Sequence, residues 1–317
     1  MSEEFIRPDV RAFLDHINGL NGPKTHEVDP PSARAMAARM RTVADVDSPA
    51  ISTREDLYIA VPGGRSIPAR FYDARAKREE EGPLVIFYHG GGFVVGDLDI
   101  YDAACADIAI GLDLPLLSID YRLAPETPWP AAPDDCEGAA RWVADQGMLF
   151  GRRFNSLALA GDSAGGTLAI VTAMALRNYG AALPVVAIWP LYPAVDLRKR
   201  YPSTERLGEG YLLTLDTLRW FNEHYAPEFA HWRASPGLAD QRGMPPALVV
   251  TATLDPLLDQ GRAFAMASIG AGVPITYREA RGNIHGWLTL RRAIPSSQDD
   301  LRGCLALFRR MIEEYRP

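Results

Sequence analysis

Two glycine-rich turns, each fed by a short apolar run, constrain this chain more than any other feature. His89-Gly90-Gly91-Gly92 follows residues 83–88, and Gly161-Asp162-Ser163-Ala164-Gly165-Gly166 follows residues 156–160. A short, near-continuous apolar run predicts a strand buried on both faces. Glycines at its end predict a sharp turn where backbone passes close to backbone, with no room for a Cβ. After the second turn, residues 167–177 are rich in Ala, Leu and Met and predict a helix. With 27 glycines in 317 residues, a single Gly-x-Ser-x-Gly match is weak evidence. His-Gly-Gly-Gly is rarer by composition, and the two together, both at strand ends, make a specific pattern.

That pattern points to acyl transfer. A serine on a tight strand-to-helix turn holds a strained backbone and stands exposed at the end of a sheet. Ser163 is therefore the candidate nucleophile. The helix starting behind it aims its first N–H groups and the positive end of its dipole at developing negative charge. The N–H of Ala164 would donate to an oxyanion, and those of Gly91 and Gly92 would complete the hole. A turn with no chemistry is the competing reading, and the order and context of the two motifs outweigh it.

The rest of the chain supplies a frame. Residues 1 to about 45 are expected to be helical. Phe5, Val10, Phe13, Leu14 and Ile17 space one apolar face, residues 33–40 add a second segment, and Pro30-Pro31 separates them. Residues 57–61 and 67–72 alternate about Pro62-Gly63-Gly64 as a hairpin. Strands are also expected at 84–88, 115–119, 156–160, 184–189, 247–251 and 275–277. Helices are expected at 103–111, 134–146, 165–177, 257–269 and 298–315. This alternation predicts an α/β fold with a mostly parallel central sheet, helices on both faces, and chemistry at the C-terminal strand ends. Between Val195 and His231 the rhythm breaks. The expected organisation is an N-terminal helical cap segment (1–50), a catalytic core in two parts (51–194 and 232–317) and a cap insertion (195–231). Tyr211, Trp220 and Phe221 are candidate substrate-binding residues there. Ordinary packing of an amphipathic helix explains them equally well.

Composition excludes other classes. An apolar content of 47% supports a large core, and a net charge of −7 without a Lys/Arg cluster argues against nucleic acid. No run of about 18 apolar residues exists, so no membrane span is expected. Met1-Ser2-Glu3-Glu4 lacks the basic and apolar regions of a signal peptide. Cys105, Cys136 and Cys304 are odd in number and far apart, as expected of reduced thiols in a cytoplasmic protein. No cluster has metal-ligand spacing, and the chemistry inferred for Ser163 needs neither metal nor organic cofactor.

A serine hydroxyl needs a general base, and histidine is suited to it near neutral pH. His16 and His26 precede the motifs. His89 is better suited to bracing its own loop. Of His224, His231 and His285, only His285, in Gly282-Asn283-Ile284-His285-Gly286, follows a predicted strand with an acidic candidate before it. That matches the order serine, acid, histidine. The acid is expected at the end of the strand over residues 247–251. Asp255 is the first candidate and Asp259, one turn on, the second. Asp255 also reads as a helix N-cap followed by proline.

These residues closely resemble the bacterial hormone-sensitive-lipase-like esterases. Both glycine motifs are present in the family's form. Asp120-Tyr121-Arg122-Leu123-Ala124-Pro125-Glu126, continued by Pro128, Pro130 and Ala131, is similar, as are Asp255-Pro256-Leu257-Leu258-Asp259 and Ile284-His285-Gly286. Arg233-Ala234-Ser235-Pro236 and Tyr211-Leu212-Leu213-Thr214 extend the likeness over nearly the whole chain. The resemblance implies an α/β-hydrolase fold with a helical cap and short- to medium-chain carboxylic esters as small-molecule substrates. It implies Ser163 as nucleophile, Asp255 as acid, His285 as base, and Gly91, Gly92 and Ala164 as the oxyanion hole. It takes residues 121–126 as a turn bracing the site. It also implies a homodimer through an edge strand, which nothing in the residues compels. Leu258, Gln260, Asn283 and Trp287 depart from the family pattern and bear on substrate preference. Amide or carbamate hydrolysis would use the same residues. Plant gibberellin receptors of this family bind a ligand without hydrolysing it, but there the catalytic histidine is lost, whereas here all three positions are filled.

Overall fold

The computed structural model describes residues 4–317, so the acidic start at residues 1–3 lies outside the described residues. The strands are β1 (Thr53–Val61), β2 (Arg65–Asp73), β3 (Gly82–Tyr88), β4 (Leu116–Ile119), β5 (Met148–Leu149), β6 (Arg152–Asp162), β7 (Val185–Leu191), β8 (Ala247–Leu254) and β9 (Ile275–Ile284). The α-helices are α1 (Pro8–Asn18), α2 (Pro30–Ala44), α3 (Asp102–Leu112), α4 (Ala131–Gln146), α5 (Ala164–Tyr179), α6 (Pro202–Arg206), α7 (Leu215–Tyr225), α8 (Leu258–Gly270) and α9 (Ser297–Tyr315). The sheet runs β1-β2-β4-β3-β6-β7-β8-β9, with β5 paired to the start of β6. The β1–β2 hairpin, the β2–β4 pair and the short β5–β6 pair are antiparallel, and the neighbours along β4-β3-β6-β7-β8-β9 are all parallel.

Why the central strands read as continuous apolar runs is visible in β3. Leu84, Ile86 and Tyr88 pack into one core with α4, α5 and α8, while Val85 and Phe87 pack into the other with α3 and α9. Alternate side chains face opposite sides of a strand, so a strand covered on both faces must be apolar at every position. The C-terminal ends of β3, β6, β8 and β9 therefore converge between two rigid layers, and both glycine motifs and the later acid and histidine emerge there.

Three expectations need correction. Phe5 is not on the first helix. It precedes α1, is 53% exposed, and lies under the Arg281 guanidinium 4.9 Å from its ring centre. Pro8 opens the helix at its first turn, where a missing N–H costs nothing, and the chain before it runs extended with Arg7 N–H donating to the Gly282 carbonyl. Likewise Pro30 does not merely separate segments but starts α2, capped by Asp29, whose carboxylate accepts from the Ser32 N–H at 2.7 Å. The last strand is longer than 275–277 and runs to Ile284. Arg278, Glu279 and Arg281 interrupt its apolar pattern because β9 is an edge strand with one side open.

The segment from 195 to 231 lies between β7 and β8 and carries α6 and α7. It meets the N-terminal segment through apolar packing on α1, an Arg206–Glu4 ion pair (3.1 Å) and further polar contacts. Asn18 Nδ2 donates to the Gly210 carbonyl (3.1 Å), Lys24 pairs with Glu209 (3.5 Å), and His26 Nδ1 lies 3.3 Å from Thr217 Oγ1. Among the described residues, no helix is long and apolar enough to cross a membrane.

Candidate active site

Ser163 sits between the last residue of β6 and the first of α5, at φ 53° and ψ −120°. A non-glycine residue in this region is strained, and the surroundings must hold it. They do so through backbone: the Ser163 N–H donates to the Leu191 carbonyl at 2.8 Å. Gly165 makes the turn possible, since a Cβ there would lie 1.9 Å from the Tyr88 carbonyl oxygen. Strand and helix can approach this closely only without a side chain.

His285 follows β9 directly, and its Nε2 lies 2.8 Å from Ser163 Oγ. Its Nδ1 lies 2.8 Å from Asp255 Oδ2. Asp255 follows β8, is fully buried, and uses its other oxygen, Oδ1, to accept the Leu257 N–H at 2.8 Å. Asp255 is not the N-cap of α8, a position held by Leu257; its carboxylate instead braces the turn before that helix. Bracing that turn fixes the rotamer that presents Oδ2 to the imidazole. Asp259 is turned elsewhere: its Oδ2 accepts from the Ser203 N–H at 2.8 Å and its Oδ1 from Arg262 at 3.2 Å, tying α6 to α8.

Opposite Ser163, Gly91 and Gly92 take φ of 116° and 60°. Among the described residues no backbone carbonyl accepts their N–H groups, and the Ala164 N–H opens α5, where a helix has no internal partner. All three residues line the space above Ser163. The loop carrying two of them is pinned by Asp162, the residue before the serine. Its buried carboxylate accepts from the Gly90 N–H (2.8 Å), the Tyr101 hydroxyl (3.1 Å) and the Tyr192 hydroxyl (3.3 Å). Burial pushes the Asp162 carboxyl up to about 6, against the pull of the His285 charge and these hydrogen bonds. Tyr192 in turn packs its ring 4.7 Å from that of His285. No local pattern in the sequence singles out Tyr101 and Tyr192. Asp162 was visible only as an acidic residue inside an otherwise small, uncharged motif.

His89 lies fully buried, stacked on Tyr121 at 4.2 Å, with its Nδ1 2.8 Å from the Gly90 carbonyl oxygen. Burial lowers its imidazole to about 4, so it is neutral near pH 7. The Tyr121 hydroxyl donates to the His89 carbonyl (2.7 Å), and Arg34 of α2 donates to the Ala124 and Val94 carbonyls (2.9 and 2.8 Å). The turn over residues 121–126 and the histidine thus support the oxyanion loop from behind. His224 and His231 stand apart from Ser163, the first with its Nδ1 2.8 Å from the Trp220 carbonyl and the second packed on Trp129.

A cavity of about 200 Å³ opens over Ser163 and His285. Leu197, Leu213, Leu218, Phe221, Asn222 and Leu257 form its outer wall. Of the three aromatic candidates, only Phe221 lines it. The Phe221 ring lies so close to Gly92 that a Cβ there would sit 2.3 Å from a ring carbon. Trp220 is 7% exposed and belongs to the core, and Tyr211 packs against the α1 cluster of Val10, Phe13 and Leu14. Successive residues of a helix point about 100° apart, so Trp220 and Phe221 cannot share one face. Leu213, Leu218 and Asn222 were missed because a solvent-facing and a pocket-facing residue of a cap read alike in sequence. Leu258, Gln260, Asn283 and Trp287 do not line the cavity. Gln260, for instance, accepts the Val195 and Asp196 N–H groups (2.7 and 3.0 Å) and anchors the insertion.

Comparison with known proteins identifies the family. A family model described as alpha/beta hydrolase fold matches residues 85–289. Esterase LipI of Mycobacterium tuberculosis is 36% identical over 258 residues, 80% of each chain. Ethyl acetate hydrolase of Pseudomonas putida is 32% identical over 309 residues, 93% of this chain and 96% of that protein. Among solved structures, the ester-hydrolase EH1AB1 from the metagenome of Lake Arreo, complexed with a derivative of bipyridine phosphonate, matches with a TM-score of 0.92. That match is 34% identical and covers 98% of this chain and 100% of the other. The chain belongs to the α/β-hydrolase fold family, in its hormone-sensitive-lipase-like branch.

Proposed function

We propose that this carboxylesterase hydrolyses short- to medium-chain acyl esters through Ser163, His285 and Asp255. The observation that carries the reading is the continuous hydrogen-bonded line from Asp255 through His285 to Ser163, with both contacts at 2.8 Å. His285 takes the Ser163 proton as Oγ attacks the ester carbonyl, and Asp255 holds the imidazole in the tautomer whose Nε2 accepts. The N–H groups of Gly91, Gly92 and Ala164 receive the oxyanion. Each such donor is worth about 3–4 kcal/mol in comparable sites. His285 then protonates the leaving alcohol and activates a water that releases the acid from Ser163. The balance is that of ester plus water giving acid plus alcohol, with the enzyme restored.

Chain length follows from space. The cavity over Ser163 holds about 200 Å³ and is walled by Leu197, Leu213, Leu218 and Phe221, which supports short- to medium-chain acyl groups. Of the expected cap segments, the described residues 4–50 and residues 195–231 act as the cap that closes it. The three cysteines are all unpaired and buried, which supports a reducing, cytoplasmic setting, and the open edge at β9 supports homodimer formation. The test is hydrolysis of p-nitrophenyl esters from acetate to palmitate by wild type and Ser163→Ala. Activity that falls beyond about eight carbons and drops about 10⁵–10⁶-fold in the variant is expected. Undiminished turnover by Ser163→Ala would overturn the mechanism, and a palmitate optimum would overturn the substrate class.

A further inference from the structure

We propose that Arg41 binds a carboxylate on the substrate, so that the preferred esters carry an acid group on the part that enters a second chamber beneath α2. The proposal rests on the ester hydrolase reading above. The second chamber, of about 170 Å³, shares Gly91, Tyr101 and Gly286 with the first cavity, so the two meet beside the oxyanion loop and His285. Ala37, Met40 and Arg41 line it from α2, at the i, i+3 and i+4 spacing that places side chains on one helix face. Ile100, Leu212 and Leu290 make its other walls apolar. The Tyr101 hydroxyl is already committed to Asp162. Arg41 is the single charge in this lining.

That charge has no partner. Arg41 Nε is buried without a hydrogen bond, and among the described residues no carboxylate pairs with the guanidinium. Its neighbours behave differently. Arg34 pairs with Glu126, Arg54 with Asp102, and Arg70 with Asp56, Asp99 and Asp102. Asp56, Asp99 and Asp102 share an outer groove with Arg41, yet they are held by Arg54 and Arg70. Arg41 is half-buried, lines both this apolar chamber and the outer groove, and keeps a buried donor unmet beside a catalytic centre, an arrangement that a ligand reaching into the chamber would complete. The planar guanidinium fork matches a carboxylate, with two parallel donors.

Two substrate pairs test this and show which half of the ester enters the chamber. In the acyl pair, mono-p-nitrophenyl glutarate is compared with p-nitrophenyl valerate. In the alcohol pair, 4-acetoxybutyrate is compared with butyl acetate. Wild type is expected to favour the acid member of one pair in kcat/KM. In Arg41→Gln that acid-to-neutral ratio should fall about ten- to a hundredfold, mainly through KM, with partial recovery in Arg41→Lys. Because the ratio is taken on one preparation, partial misfolding cancels. A wild-type preference for the neutral member in both pairs, or a ratio unchanged in Arg41→Gln, overturns the proposal. Failure of the hydrolase reading would look different: no ester in either pair would be turned over in a manner abolished by Ser163→Ala.

Discussion

The floor of the active site, from β6 through Ser163 into α5, is held by backbone. The Ser163 N–H bonds the Leu191 carbonyl, and Gly165 packs directly on the Tyr88 carbonyl. Within the roof, the N-terminal segment and residues 195–231 meet each other through side chains, in apolar contacts and polar bonds such as Lys24 to Glu209 and His26 to Thr217. Backbone contacts fix atoms within a narrow range whatever the neighbouring side chains become. Side-chain contacts can be exchanged one at a time. The floor should therefore govern the rate of the chemical step, and the roof should govern which ester reaches it.

The sharpest test of that division uses the two acids of the Asp255–Asp259 segment. Asp255 faces His285, while Asp259 faces Ser203 in the roof. Asp255→Asn is expected to lower kcat by about 10⁴-fold, because the amide favours the wrong imidazole tautomer. Asp259→Asn should leave kcat within a few-fold and mainly loosen α6. Steady-state kinetics on one short ester measure both. Comparable losses in the two variants would break the division.

Trp220 and Phe221 test it within a single helix turn. Trp220→Ala removes a core side chain and should cost about 3–5 kcal/mol of stability, read by denaturant melts, without moving the chain-length optimum. Phe221→Ala removes the ring that lies on Gly92 and should move the optimum toward longer acyl chains. Each methylene accommodated is worth about 1 kcal/mol or more in such a pocket. A shift in Trp220→Ala equal to that in Phe221→Ala would show that the roof acts as one body.

The same contrast explains what the sequence reveals. Ser163, Gly91 and Gly92 were legible because the chemistry needs glycine and serine at fixed spacing along one stretch of backbone. His285 and Asp255 were legible from chain order and from the strands before them. The Asp162 network joins residues 90, 101, 162 and 192, and no local pattern links them. The pocket wall was only partly legible, since Phe221 lines it and Tyr211 and Trp220 do not. Boundaries failed where tertiary context overrides pattern: β9 tolerates Arg278 and Glu279 because its outer side is open, and Phe5 leaves the helix because Pro8 begins it.

Asp162 belongs to the floor, and its ionisation provides a test by pH. Its carboxyl is raised from the usual 3.8 to about 6 by burial. Between those values the folded protein keeps a proton that the unfolded chain has released. Stability from this group is therefore complete below about pH 4 and is lost as pH rises through about 6. A shift of about two units corresponds to roughly 3 kcal/mol. Asp162→Asn, which cannot ionise, should gain on wild type by about that amount between pH 4 and pH 7 in denaturant melts. An unchanged difference across that range would mean that the three hydrogen bonds hold the carboxylate ionised throughout.

The smallest effect expected is at the seam of the roof. His26→Ala removes the contact to Thr217, and Lys24→Ala removes an exposed pair with Glu209. Exposed pairs of this kind contribute about 0–1 kcal/mol, and a single neutral hydrogen bond about 0.5–1.5 kcal/mol. Global stability should hardly move. What should move is opening of the seam, because the loop over residues 19–29 then relies on fewer contacts to the 195–231 segment. Limited proteolysis of that loop under native conditions should quicken by about tenfold in the double variant, with the melting temperature almost unchanged. Equal losses in both measurements would mean that the seam is part of the main folding unit, and that the roof is less separable from the floor than its side-chain contacts imply.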